Sequence, residues 1–216
     1  MRILALDGSL ARASAALWID GAVVARRVVA GDRVQPTALP LMAEALLAEA
    51  ERRLDAVAVV VGPGSFTGLR TAIALAEGIA LGLGVELVGV TTGEALAAAL
   101  PEDIRGAREV WAVVDTRRGR VSLERIAPGA WIAAPPAVFA ERELPMPAGP
   151  VAIAGDAAPM VAARLLARDA DALLTDSRLP DAGAAASVAA RRLAGAIPPR
   201  SAAPLYSEPP AVRLPG

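Results

Sequence analysis

Between an unbroken apolar run, Ala56 to Val61, and a long apolar-periodic segment stands Gly62-Pro63-Gly64-Ser65-Phe66-Thr67-Gly68. Six aliphatic residues in succession read as a buried strand, and the periodic segment predicts a helix from about Thr67. The glycines and the proline allow the sharp reversal between them. A buried strand turning directly into a helix places the chain in the α/β class.

Two physical readings of that turn stand side by side. In the first it is a capped corner, with Ser65 or Thr67 accepting a hydrogen bond from an unpaired N–H of the helix. In the second it is an anion nest, with backbone N–H groups and the helix dipole facing a phosphate.

The rest of the chain supplies partners for this unit. Arg2 to Asp7 reads as a buried strand ending on a carboxylate, and Ala13 to Ile19 and Ala22 to Val29 as two more. Asp20-Gly21 between them suits a two-residue hairpin. Pro36 and Thr37 open a helix to about Leu54 with Leu39, Met42, Leu46 and Ala50 on one face, and Val85 to Val90 is a further strand. The order strand, strand, strand, helix, strand, helix, strand matches the ribonuclease-H-like lobe of actin-type ATPases. A second lobe begins the same way, with Glu109 to Asp115 and Arg120 to Ala127. Asp7 and Asp115 lie 108 positions apart, as do Gly21 and Gly129, which points to internal duplication. Val151 to Gly155 (strand), Pro159 to Arg168 (helix) and Asp181 to Ala196 (helix) complete it. Residues 1–100 are thus expected to form the first lobe, and 101–216 a smaller, degenerate one whose proline-rich tail from Ile197 runs extended over the surface.

Composition then narrows the chemistry. The chain of 216 residues has no Cys, His, Lys or Asn. It therefore offers no disulfide, no thiol nucleophile, no Ser-His-Asp triad and no His/Cys zinc site. Without Lys there is no Walker lysine and no Schiff-base amine. Aromatics make up 3% against 55% hydrophobic residues, so the core is aliphatic and alanine-rich. A net charge of -1 gives no bulk attraction for a polyanion, so a nucleic acid would be met through a local patch or another subunit. With no signal-peptide pattern at the start and no uninterrupted apolar span, the expected location is cytoplasmic, away from the membrane.

The run Gly62 through Arg70 resembles the signature of the TsaB (YeaZ-like) family. Ile3-Leu4-Ala5-Leu6-Asp7, Ala16-Leu17-Trp18, Leu39-Pro40, Asp115-Thr116-Arg117-Arg118-Gly119 and Pro204-Leu205-Tyr206 are similar to further family segments. The likeness is strong to about Val90, patchy to Val121 and weak beyond, except at Tyr206. Three positions depart from the pattern: Gly8-Ser9 in place of a threonine-containing pair, Val34 in place of a histidine, and Ser207-Glu208 in place of Leu-Arg. The resemblance implies an actin-like fold and a part in making threonylcarbamoyladenosine beside the anticodon of tRNAs that read codons starting with adenine. It implies a non-catalytic subunit that binds and stabilises or activates a TsaD-like catalytic paralogue, with a TsaE-like ATPase joining them and tRNA reached indirectly through the complex. It leaves room for a homodimer when the chain is alone. The absence of histidine agrees with that role, since the resemblance places the catalytic metal on histidines of the paralogue.

Two sets of candidate residues follow. Asp7, Gly8, Ser9 and Asp115, at the two strand ends, are candidates for weakly holding ATP or ADP with magnesium, as in an actin-like ATPase or small-molecule kinase; plain turn-capping is the alternative for both aspartates. A ribonuclease-H-class nuclease would also gather carboxylates there, but the near-neutral charge and missing basic aromatic surface oppose it. A peptidase reading lacks any His ligand. The second set lies on or beside the helix after the signature. Leu69, Leu75, Ile79 and Leu83 form one apolar arc, and Ala74, Gly78, Leu81 and Gly82 form another across a stripe holding Arg70 and Glu77. Two apolar faces imply two packing partners, so Pro63, Gly64, Arg70, Ala74, Glu77, Gly78, Leu81 and Gly82 are the expected partner interface. Trp18, Trp111 and Trp131 read as core or hairpin packing rather than a base-stacking platform. The arginine pairs at 26–27, 52–53, 117–118 and 191–192 read as solvated, with Arg117 and Arg118 also placed to meet tRNA or a nucleotide.

Overall fold

The computed structural model describes residues 1–207; the position of Glu208, part of the departure after Tyr206, lies outside them. The elements are β1 (Arg2–Asp7), β2 (Arg12–Ile19), β3 (Ala22–Ala30), α1 (Gln35–Glu49), β4 (Ala56–Gly62), α2 (Phe66–Leu83), β5 (Glu86–Thr91), α3 (Thr92–Ala98), α4 (Glu102–Ala107), β6 (Glu109–Asp115), β7 (Arg120–Ile126), β8 (Ala137–Ala140), β9 (Val151–Ala154), α5 (Ala158–Leu166), β10 (Ala172–Leu174) and α6 (Ala182–Leu193). They build two five-stranded sheets, ordered β3-β2-β1-β4-β5 and β8-β7-β6-β9-β10. In each, the first strand pairs antiparallel with a hairpin partner and parallel with the strand that follows a helix or long connection.

The duplication extends to local geometry. Asp7 Oδ1 accepts the N–H of Ser9 at 2.9 Å, and Asp115 Oδ1 accepts the N–H of Arg117 at 2.7 Å, the same turn two residues on. At the ends of β4 and β9, Gly62 and Gly155 share a positive φ, 113° and 107°. A side chain at Gly155 would meet the Val113 carbonyl oxygen at 2.1 Å, so neither space nor backbone allows one. These landmarks identify an actin-like, ribonuclease-H-like fold whose second sheet is shortened at both edges.

On one face of the first sheet, α1 and α2 bury Leu39, Leu46, Leu69 and Ile73 against Leu4, Leu6, Val57 and Val59. The other face takes α6, whose Ala182, Ala185, Ala186 and Ala189 lie on Ile3, Ala5, Ala58 and Val60. Alanine on the helix lets the two backbones approach closely, which replaces bulky aromatics as the means of filling the core. α3 lies beside α6, with Leu96 and Ala97 on Val110 and Ala112 of the second sheet, and α5 covers that sheet's far side with Val161 and Leu165. Trp18 and Trp111 are buried, as the pattern predicts.

Two expectations need correction. α1 ends at Glu49 rather than near Leu54. Glu51 and Arg52 take positive φ, and the Arg52 N–H closes back on the Leu47 carbonyl at 2.8 Å, so the helix stops without the glycine that usually signals it. Arg192 is no solvated arginine; it is buried and donates to Glu94 Oε1 at 2.7 Å, tying α6 to α3. The tail is extended but pinned. Arg200 accepts from the Gly89 N–H at 2.9 Å, and the Leu205 N–H donates to Val61 at 2.8 Å. α2 has the length and hydropathy of a membrane span, yet it packs as a core helix on β4.

Candidate functional site

The signature turn is held by its neighbours. Ser65 is the N-cap of α2, its Oγ accepting the Gly68 N–H at 3.3 Å, and its own N–H donates to the Ser9 carbonyl at 2.6 Å. A Cβ on Gly64 would lie 2.2 Å from that carbonyl oxygen, and one on Gly68 would lie 2.0 Å from the carbonyl oxygen of Gly8. The two glycines therefore let the turn after β1 lie directly on the turn after β4. The N–H groups of Ser65 and Gly68 are used internally, which supports the capped corner and leaves an anion two fewer donors at this turn. Pro63 is buried and its carbonyl accepts from Thr92 Oγ1 at 2.7 Å, while Gly64 is half-buried against Ser9. Pro63 is thus removed from any partner surface.

Beside this corner opens a cleft of about 730 Å³ between the sheets. Ser9, Arg33, Ser65 and Phe66 face it from the first lobe, Asp115, Arg117, Arg118 and Asp156 from the second, and Tyr206 from the tail. Of the proposed nucleotide residues, Ser9 and Asp115 reach its wall, but Asp7 and Gly8 do not. Asp7 is fully buried behind Ser9, which donates to Oδ1 through both N–H and Oγ, while Oδ2 has no partner. Burial pushes the Asp7 carboxyl up to about 6, against those two bonds and the charge of Arg12. Asp7 therefore holds a turn and lies behind the cleft wall.

Asp156, which sequence reasoning missed, completes the second lobe's contribution. Its Oδ1 accepts the Asp115 N–H at 2.9 Å, and its Oδ2 lies 3.9 Å from Arg117, which also approaches Asp115 at 3.7 Å. Burial raises the Asp156 carboxyl above its ordinary range. A signal was present: Gly155-Asp156 follows an apolar strand, the same carboxylate-at-strand-end pattern that singled out Asp7 and Asp115. Arg70 is exposed on the first turn of α2, with its guanidinium 3.8 Å from the Phe66 ring centroid and its Nε–H donating to Tyr206.

The remaining candidate residues share one surface. Ala74, Glu77, Gly78, Leu81 and Gly82 are all exposed on α2, while Leu69, Ala72, Ile73, Ala76 and Ala80 are buried beneath. Leu81 is 86% exposed, and an apolar groove of about 370 Å³ runs from Leu47 and Arg52 past Ala74, Gly78 and Gly82. Of the arc expected to face the sheet only Leu69 is buried, while Leu75, Ile79 and Leu83 are half-buried at the edge of the core and line this groove.

The chain matches the family model for TsaD, tRNA N6-adenosine threonylcarbamoyltransferase, over residues 32–150. It is 36% identical over 136 residues to the tRNA threonylcarbamoyladenosine biosynthesis protein TsaB of Escherichia coli, a match covering 61% of this chain and 58% of that protein. The TsaB of Haemophilus influenzae is 30% identical over 128 residues, covering 58% of this chain and 54% of its own length. The matched stretch therefore spans less than two thirds of either curated relative. A Pseudomonas aeruginosa crystal structure, described as an uncharacterized protein with similarity to peptidase YeaZ, superposes with a TM-score of 0.80 at 28% identity, covering 96% of this chain and 99% of that one. YeaZ from the same organism gives 0.78 at 29% identity, covering 95% and 99%. With the duplicated sheets, the signature corner and these likenesses agreeing, the chain belongs to the TsaB (YeaZ-like) family.

Proposed function

We propose that this chain is a non-catalytic subunit of tRNA threonylcarbamoyladenosine biosynthesis that binds and activates a TsaD-like paralogue through the outer face of α2. The observation carrying this reading is the second apolar face of that helix, with Leu81 and the small residues Ala74, Gly78 and Gly82 left uncovered. Removing such a face from water stabilises a complex by roughly 25 cal/mol per Å² of apolar area. Small residues at every fourth position let another helix approach closely. The match to the TsaD family model supports a paralogue of the same fold as the occupant, since it would carry an equivalent helix. Without His, Lys or Cys, the chain itself is expected neither to transfer threonylcarbamoyl nor to hydrolyse ATP. A TsaE-like ATPase and tRNA join through the complex, in the cytoplasm, and the same face accounts for a homodimer when the chain is alone. Co-expression with the same organism's TsaD-like protein, size-exclusion chromatography and a tRNA modification assay test this directly. Separate elution, with modification unaffected by omitting the chain, would overturn it.

A second reading rests on the cleft. Asp115 and Asp156 facing Arg117 and Ser9 would suit a magnesium nucleotide, as in an actin-like ATPase. Tight calorimetric binding of magnesium-ATP that disappears in Asp115→Ala would favour it.

A further inference from the structure

Trp131 is held between two arginines. The guanidinium carbons of Arg105, on α4, and Arg191, on α6, lie 3.8 Å and 3.7 Å from the indole centroid. Two planar cations at stacking distance from one centroid would collide on a single face, so one covers each side. Both ring faces are therefore occupied, which closes Trp131 to stacking with a nucleobase. What stays available is the rim, where two guanidinium groups stand on either side of one indole.

The local charge is unbalanced. Arg26, Arg27, Arg108, Arg117 and Arg192 each have a carboxylate within ion-pair distance; Arg105 and Arg191, like Arg12, Arg70 and Arg168, have none among the described residues, and Glu102 acts on Arg105 from farther away. Arg105 is 8% exposed, and its Nε and Nη1 are buried without a hydrogen-bond partner. Burial holds its guanidinium below the ordinary range, with Glu102 opposing and the charge of Arg191 adding to the effect. Cation–π contact offsets part of this, by about 1 kcal/mol per arginine, but leaves the N–H donors unsatisfied. An anion meets both the missing hydrogen bonds and the concentration of positive charge, and it must present oxygens to two forks at once. A carboxylate can bridge two arginines with one oxygen each, whereas a phosphate can offer a pair of oxygens to each fork.

We propose that Arg105 and Arg191 form a phosphate-binding clamp across the rim of Trp131, taking the phosphate of an RNA backbone or free phosphate. The chain's net charge of -1 gives no general affinity for polyanions, so binding here is a property of this pair.

The indole supplies its own reporter, since Trp18 and Trp111 are buried elsewhere. Intrinsic fluorescence would be titrated with sodium phosphate, with sodium chloride at matched ionic strength, and with a short single-stranded RNA. The expected result is a saturable change with phosphate and not with chloride, absent in Trp131→Phe. Calorimetry on Arg191→Gln, an exposed position, should show phosphate affinity about tenfold weaker, the loss of one charge-assisted bond, in a chain that still unfolds in a single cooperative thermal transition. RNA that binds more tightly than phosphate and competes with it identifies the backbone as the source; RNA that binds no better identifies free phosphate. No response beyond that of chloride, or equal affinity in Arg191→Gln, would overturn the proposal.

Discussion

The Arg70 Nε–H donates to the Tyr206 hydroxyl at 3.1 Å, joining the first turn of α2 to a residue 136 positions later. Phe66 stacks on the same tyrosine with 5.4 Å between centroids. The described part of the tail thus lies on α2 at Tyr206 and contributes to the wall of the cleft, so one small cluster connects the two surfaces to which function is assigned here.

Tyr206→Ala should remove both contacts and lower stability by about 1–2 kcal/mol, while Tyr206→Phe should lose only the hydrogen bond and about half of that. Thermal melts of the two variants check the ratio. Limited proteolysis should also cut the tail of Tyr206→Ala earlier, because the segment after Leu205 then has no aromatic anchor.

Gly64→Ala should be severe. The new Cβ would lie 2.2 Å from the Ser9 carbonyl oxygen, and backbone on both sides must separate to admit it. A loss of about 3 kcal/mol or more is expected, against a gain of a few tenths where space is free. Chemical denaturation measures it; a near-neutral variant would mean that the two turns are not in contact.

Glu124 on β7 makes the fold pH-sensitive. It is buried, its Oε2 accepts the Gly93 N–H at 2.7 Å, and its Oε1 has no partner. Burial pushes its carboxyl up from 4.5 to about 8, with the Thr91 and Gly93 bonds opposing and Glu94 adding to the rise, while Arg200 lowers it. The folded state therefore holds a proton that the unfolded chain releases. Its stabilising contribution is full below pH 4.5 and is lost as pH rises through about 8, by up to ~1.4 kcal/mol per pH unit inside that window. Asp7 acts in the same direction between 3.8 and about 6. Glu124→Gln should flatten the stability profile between pH 6 and 8 and leave the Asp7 part below it. Denaturant midpoints at several pH values give the comparison.

Much of this architecture was legible in the sequence, for identifiable reasons. Apolar runs such as Ala56 to Val61 and the Asp20-Gly21 turn carry strong local signals, and the paired spacings of Asp7 with Asp115 and Gly21 with Gly129 agree with the repeated strand order of the two sheets. What escaped was short or set by tertiary contact. α3 and α4 have seven and six residues, too few for periodicity, although α3 carries a complete capping box from Thr91 to Glu94. β10 has three residues and exists because β9 offers it an edge. The burial of Asp7 and Arg192 depends on elements far away in the chain, the β4–α2 corner packed on Ser9 for one and α3 for the other, and no local pattern distinguishes them from exposed charges.

Gly78→Leu separates the two uses to which the outer face of α2 can be put. If that face belonged to the internal core, a larger side chain would overpack it and cost about 1–3 kcal/mol. Gly78 is exposed, and a Cβ built on it meets nothing within 4 Å, so the first carbon of the new side chain enters open space. Leucine also favours a helix over glycine, so stability should be unchanged or rise by up to ~1 kcal/mol. The remainder of the side chain would fill the groove beside Leu47, Ala74 and Gly82 and block the close approach of a partner helix. The expected variant is a folded chain with an undiminished thermal midpoint that no longer co-elutes with its TsaD-like partner. Ala48→Leu, on an exposed face of α1 outside the groove lining, supplies a matched control that should still bind. A Gly78→Leu chain that is destabilised yet still binds would assign the face to the core and send the search for the interface elsewhere.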